Sequence, residues 1–442
     1  MVFCAIMSET DYEKEAVRYY SNEIVQRTFR EFESWKEDIK TEWKTLAKIY
    51  TPSGAEKARA DEIVRKFKEY GIEKAYVDDH LNAVGLIEGK GPTVAYIATM
   101  DDLLTVAEMV KTWDKPVEEK DGKMIGPGTN SSACCASLIS IARLFTFPWV
   151  KPHARIYLVA CAQEETALTG VKGFLKDHDG EVDYLLETGG GIGGITYGGI
   201  GIHWFEIHFR GTRGHTLNGG LPNVTRAIAR AVEQIFSIPL PQDPEKRTLL
   251  NIAMLGAAKV YNHKSDDGWF SVDLRSMSNE VLKNIKEQIF TIASEAAKEQ
   301  GYEWWMEPYS EIPAGQTSGG RDSRLVRLTE AAYKQFGITP NLSNRATSNL
   351  NIGFAKGIPT IGMSGNRGAL RDTPDEYANI EPVLMGPKLH FLVGVHAGFW
   401  RDKPDLETRR MTICERHLLF PSVSAMQDLA RRTYGLASVR VS

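Results

Sequence analysis

Two stretches limit the fold before anything else: "PTVAYIATMDD" at residues 92–102 and "ARIYLVACAQEE" at 154–165. Each is an apolar run with no alternation, the mark of a strand buried on both faces. "NAVGLIEG" and "VDYLLET" are similar runs, bounded by Gly, Asp or Glu. Helical patterns separate them, notably "AEKARADEIVRKFKEYG" and the small-residue stretch "SSACCASLISIARLF". Strands alternating with helices predict an α/β fold, with a mixed or parallel sheet covered on both sides. Several strands run straight into acids: Asp101 and Asp102, Glu164 and Glu165, and Glu187. Loops beyond the carboxyl ends of such strands form the ligand crevice of open α/β sheets, so these acids are candidate site residues.

The pattern changes after the glycine-rich "TGGGIGGITYGGIG" (188–201), read as a flexible hinge. It lacks the register of a phosphate-binding loop, and a strand rather than a helix follows it. "IHWFEIHFRG", "RTLLNIAMLGAAKV", "DGWFSVDLRS" and "YEWWMEPYSEIP" read as four strands, with helices near 222–236 and 279–298. The order β-α-β-β-α-β predicts a ferredoxin-like α+β insertion. The expected division is a catalytic domain over 1–198, a lid or dimerisation domain over 199–313, and the rest of the catalytic domain over 314–442. One or two amphipathic helices open the chain (1–45), and helical material follows residue 386.

A net charge of −4 supplies no field for nucleic acid or an anionic membrane, and no apolar run approaches a bilayer span. The odd number of cysteines, 5, argues against a disulfide framework and for a cytoplasmic protein. "MVFCAIM" is too short for a signal-peptide core, and either Met1 or Met7 can be the start.

The order of motifs resembles the co-catalytic di-zinc metallopeptidase and amidohydrolase family that includes aminoacylase, peptidase T and glutamate carboxypeptidase. "PSGAEKARADEIVRKF", "NAVG", "PGTNSSACCASL", "AQEETALTGVKGF", "GTRGHT" with "PNVTRAI", "SVDLRS" and "GIPTIGMSG" with "DTPDEY" occur in the family's order over roughly residues 45–385. The resemblance implies a phosphorylase/hydrolase-like catalytic domain with a mixed central sheet, an inserted lid, and a homodimer formed through that lid. It also assigns roles. Glu164 takes the place of the general base and Glu165 and Glu187 those of metal ligands. Asp101 matches the acid of a His-x-Asp pair, while His215 matches the lid histidine that reaches across a dimer to the oxyanion. Asn223 matches a polar residue near it, and Arg275 the arginine of the lid's "DLRS".

The departures fall on the metal ligands. Thr99 stands where a histidine ligand belongs, Ser131 where the aspartate bridging two zinc ions belongs, and Asp372 where the last histidine belongs. Zinc sites draw on imidazole or thiolate donors, so no metal is expected. An all-oxygen remnant at Glu165, Glu187 and Asp372 would suit Mg²⁺, Mn²⁺ or Ca²⁺, or one weakly held Zn²⁺. Crowded carboxylates without a metal must share protons or face another cation, for which Arg367, Arg371 or a substrate amine are candidates. The expectation is therefore zinc-independent acid–base catalysis through Glu164, His215 and Asp101 on a small amine-bearing substrate. Thr99, Ser131, Glu165, Glu187, Asn223, Arg275 and Asp372 would bind it. The alternatives are a non-catalytic homologue and a hydrolase with a rearranged metal site. Cys134 or Cys135 could also serve as nucleophile if its pKa were lowered.

Overall fold

The computed structural model describes residues 9–102, 116–219, 222–365, 367–371 and 373–398. The first segment forms three helices rather than one or two: α1 (Glu9–Tyr20), α2 (Glu23–Glu33) and α3 (Lys36–Ala47). Asn22 separates the first pair, because its extended backbone cannot continue α1 and its Oδ1 accepts the Ile24 N–H at 2.9 Å to cap α2. Phe29, Phe32, Ile39 and Trp43 turn inward from these helices. The Trp43 indole donates to the Thr129 carbonyl at 3.0 Å and so ties α3 to the start of a central helix. Helix α4 (Lys57–Glu69) follows the Pro52–Ala55 turn.

The central sheet is built from β1 (Lys74–Val77), β2 (Ala83–Ile87), β3 (Thr93–Thr99), β4 (Arg155–Cys161), β5 (Tyr184–Thr188) and β6 (Gly194–Thr196), completed later in the chain by β11 (Asn341–Ser343) and β12 (Thr360–Ser364). Its order is β1-β2-β4-β3-β5-β12-β6-β11. The β3, β4, β5 and β12 neighbours run parallel, whereas β1, β2 and β4 pair antiparallel, so the sheet is mixed as expected. Every residue of β3 is buried. Tyr96 faces a core shared with Phe145 and Phe391, while Ala95 and Ile97 face a second core with Val171 and Phe174. Two covered faces are why "TVAYIAT" shows no alternation. Helices α5 (Thr129–Phe145) and α6 (Thr169–Asp177) supply residues to the two cores respectively.

The glycine-rich stretch is a correction. It is not a free hinge: β6 pairs parallel with β11 and antiparallel with β12 inside the main sheet. A Cβ on Gly191 would sit 2.2 Å from the Gly365 carbonyl oxygen, so the glycines there permit close backbone approach.

The insertion follows the anticipated order: β7 (Gly201–Arg210), α7 (Val224–Phe236), β8 (Leu249–Asn251), β9 (Asp267–Ser276), α8 (Asn279–Gln300) and β10 (Glu303–Ile312). The strands lie in the order β8-β9-β7-β10. Phe205, Ile207 and Phe209 of β7 and Phe270, Val272 and Leu274 of β9 pack on Ile228, Ile235, Ile285 and Ile289 of the two helices. The run 247–260 is less regular than its apolar content suggested: only Leu249–Asn251 and Leu255–Gly256 pair with β9. Helices α9 (Arg324–Lys334), α10 (Leu350–Ala355) and α11 (Ile380–His396) complete the described chain. No helix among the described residues is long and apolar enough to cross a membrane. The sequence expectation for material beyond residue 398 lies outside the described residues.

Helix α11 carries a fully buried imidazole, His390, set edge-on to Tyr96 with ring centroids 6.0 Å apart. Burial drives its pKa down to about 3. The unfolded chain therefore takes up a proton at this side chain between roughly pH 6.5 and pH 3 that the native fold refuses. Stability is lost as pH falls through that window. His390→Phe should flatten the decline in urea midpoint between pH 6.5 and 4 relative to the parent chain; parallel pH profiles would show that His390 does not govern it.

Candidate active site

The crevice is assembled at the ends of β3, β4 and β5, and most of its side chains are held by one another. Asp101, fully buried just beyond β3, directs its carboxylate at the loop after β4. Its oxygens accept the Glu164 N–H at 2.8 Å, the Glu165 N–H at 3.2 Å and the Ser53 hydroxyl at 2.5 Å. Glu56 grips the same loop, accepting from the Gln163 N–H at 2.9 Å and the Gly54 N–H at 2.8 Å. Gln163 sits at φ 53°, a left-handed conformation unusual for a residue other than Gly, so the bend that presents Glu164 is enforced by these two carboxylates. Burial raises the Asp101 pKa to about 7, against the opposing hydrogen bonds from Ser53 and Glu164. Its donors make Asp101 a positioning residue for the loop.

Glu164 is half-buried. Burial, followed by the neighbouring Glu187 and Asp101 charges, raises its pKa to about 8, with Arg371 and Arg367 pulling the other way. Glu187, at the end of β5, is raised as well by burial, although Ser348 donates to its Oε2 at 2.8 Å and Asn349 also favours its charged form. Glu165 is ion-paired with Arg371. Arg367 donates from Nη1 to the Cys134 sulfur at 2.8 Å and to the Gly189 carbonyl at 3.2 Å.

The floor holds a network that sequence reading did not foresee. Arg59 of α4, with no exposed surface, donates from Nη1 to Ser131 Oγ at 2.8 Å and to the Met100 carbonyl at 2.7 Å. The same nitrogen lies 3.0 Å from Asp102 Oδ2. Ser131 Oγ donates to Asp102 Oδ1 at 2.5 Å, and the Thr51 hydroxyl donates to Asp102 Oδ2 at 2.8 Å. A signal was available: positions 59, 63 and 67 share one helix face, and Ile63 and Phe67 are core residues. An arginine in that stripe needs an acid partner.

Other expected residues fall elsewhere. Thr99 is buried at the end of β3, its carbonyl accepting the Cys135 thiol at 3.3 Å. Burial pushes both the Cys134 and Cys135 thiols up, which removes the thiolate that a nucleophile at either position requires. His215, Asn223 and Arg275 lie on the insertion. His215 is exposed, with Nδ1 accepting the Leu217 N–H at 3.1 Å. Asn223 caps α7 by accepting the Thr225 N–H at 2.9 Å, and Arg275 pairs with Asp273 at 2.9 Å. Asp372 lies outside the described residues.

The sequence model of peptidase family M20/M25/M40 matches residues 99–392. The chain belongs to that family. A Pyrococcus furiosus protein named LysW-lysine/LysW-ornithine hydrolase is 24% identical over 353 residues, 77% of this chain and 91% of that protein. Among solved structures, the aminopeptidase PepT of Bacillus cereus superposes with a TM-score of 0.66 at 19% identity, over 81% of this chain and 97% of that one. YxeP of Bacillus subtilis, a dinuclear metal binding peptidase of the M20 family, gives a TM-score of 0.61 at 15% identity, over 83% and 99%.

A metal pair of the kind named for YxeP does not suit the residues present in this M20 crevice. Glu165 is taken by Arg371, Ser131 by Arg59 and Asp102, and Asp101 by backbone N–H groups. Among the described residues, the group whose ligand atoms all lie within 4.8 Å of one another is Glu206, His208 and Glu307. That group sits on the insertion's sheet, where Glu206 and Glu307 are cross-strand partners. The anticipated weak site at Glu165, Glu187 and Asp372 includes Asp372, which lies outside the described residues.

Asp101→Ala removes the acceptor for three donors. It should lower stability by about 2–3 kcal/mol, read as a drop in urea midpoint. An unchanged midpoint would show that the Glu164 loop holds its bend without Asp101.

Proposed function

We propose that this M20 chain is a zinc-independent amidohydrolase that uses Glu164 as its proton-transfer group on the amide C–N bond of a small amine-bearing metabolite. The observation that carries this reading is the pairing of a raised Glu164 pKa with a crevice whose metal-ligand positions are engaged by arginines and hydroxyls. A carboxylate whose conjugate acid has a pKa near 8 is a stronger base than an ordinary one, which matters where water must be activated without a Lewis acid. Glu164 would take the proton of the attacking water and pass it to the departing nitrogen, giving acid and amine. Acyl transfer or cyclisation would follow the same proton path with another nucleophile. The relatives named for lysine and ornithine, and the acidic crevice, both favour a substrate whose amine carries positive charge. His215, exposed on the lid, would act from the second subunit of a homodimer.

The base must be ionised to work, so the rate should rise with pH and reach half its plateau near pH 8. Chelator-treated protein assayed against acyl-lysines, acyl-ornithines and dipeptides provides the measurement. Glu164→Gln should lower kcat/KM by at least about 100-fold and abolish that limb. Equal turnover by both proteins on every compound that binds would leave a binding homologue instead.

Glu187→Gln removes a charge that raises the Glu164 pKa, so it should move the same limb toward lower pH. A limb that stays in place would show that the two carboxylates are not electrically coupled.

A further inference from the structure

The Arg59 network does more than neutralise one acid. A single guanidinium reaches the Leu46 carbonyl at 3.1 Å, the Ile49 carbonyl at 2.8 Å, the Met100 carbonyl at 2.7 Å and Ser131 Oγ at 2.8 Å. It thereby joins the end of α3, the end of β3 and the first turn of α5. Arg59 makes these joins with a permanent charge that cannot dissociate. Asp102 completes it as a buried counter-ion, 3.0 Å from Nη1.

We propose that Arg59 is a resident substitute for metal charge in this crevice, and that it excludes a divalent cation from the Ser131 position whatever ligands surround it. This rests on the zinc-independent reading above. Ser131 is the side chain through which the first turn of α5 meets the ends of the strands, and its oxygen already lies between a cation and an acid. An aspartate there would grow from the same Cβ, between Asp102 and the guanidinium, and Arg59 would bridge the two carboxylates in charge-assisted pairs. Those oxygens would then be engaged by Arg59, and a cation arriving at the same place would have to displace it.

The experiment restores the missing donors and asks whether Arg59 still keeps zinc out. Thr99→His with Ser131→Asp would restore an imidazole and a carboxylate at the two positions where the resembled motif has them. All variants and the parent control carry His208→Ala, so that the Glu206, His208 and Glu307 group cannot hold the ion; after incubation with Zn²⁺ alone and dialysis, the double variant should retain less than about 0.1 zinc per chain by elemental analysis. Combining it with Arg59→Met and Asp102→Leu removes both members of the buried pair. That protein should hold close to one zinc per chain, with at least about a tenfold lower Kd and a zinc-dependent rise in Tm. Arg59→Gln with Asp102→Asn is a second neutral pair, closer in shape, for use if the apolar pair does not fold.

Stoichiometric zinc in the double variant with Arg59 intact overturns the proposal, and so does failure of both neutral pairs to admit zinc. The parent chain is the control that separates this idea from the one beneath it. If it takes up stoichiometric zinc in the crevice, the zinc-independent reading falls. If it takes up none while the double variant does, only the role given to Arg59 falls.

Discussion

A guanidinium with no exposed surface holds the floor of the crevice together, and the rest of the site follows from its charge. Placing Arg59 in the interior has a desolvation cost that only an acid and several carbonyls can offset. Asp102 and the carbonyls of Leu46, Ile49 and Met100 are where they must be for that. With Asp102 committed downward, its neighbour Asp101 points the other way and takes the backbone N–H groups of the Glu164 loop. Adjacent residues on an extended chain face opposite sides, so one dipeptide serves the floor and the rim. Glu164 then enters the crevice at a height fixed by Asp101 and Glu56.

The carboxylates consequently fall into two groups. Asp102 and Glu165 have arginine partners in direct ion pairs. Glu164 and Glu187 share the remaining volume without one among the described residues, and burial raises both. The asymmetry is chemically useful. A pocket in which every acid were paired would hold no group that changes its proton near neutral pH, and one with none paired would repel itself open. Arg367 tempers the second group from a distance while it contacts the Cys134 sulfur and the Gly189 carbonyl. Cys134 and Cys135 therefore act as small packing residues of α5, the role their full burial implies.

Sequence reading reached the architecture because its evidence was periodicity. "TVAYIAT" could only be a strand covered on both sides, and the β-α-β-β-α-β order of the insertion survives even where 247–260 forms just two short pairings. It failed at the glycine-rich stretch, where composition suggested freedom but close backbone approach was the cause. At the site, the acids were legible because strand ends are marked by the sequence. Their partners were not. Arg59 lies more than forty positions from Asp102, and nothing local distinguishes a helix arginine that snorkels outward from one that turns in. Only its register with Ile63 and Phe67 carried the hint.

The insertion poses a different problem, since none of Asn223, Arg275 and His215 is spent on the crevice floor. Asn223 and Arg275 are explained by a helix cap and a same-strand ion pair. His215 is engaged at both ring nitrogens: Nδ1 accepts the Leu217 N–H at 3.1 Å, and Nε2 lies 2.9 Å from the Asn262 side-chain nitrogen. Local contacts thus hold His215 on the insertion, as the Asp101 and Glu56 grip holds the Glu164 loop. Neither arrangement draws on the side chains of Thr99 or Ser131, so both can persist where those two positions depart from the resembled motif.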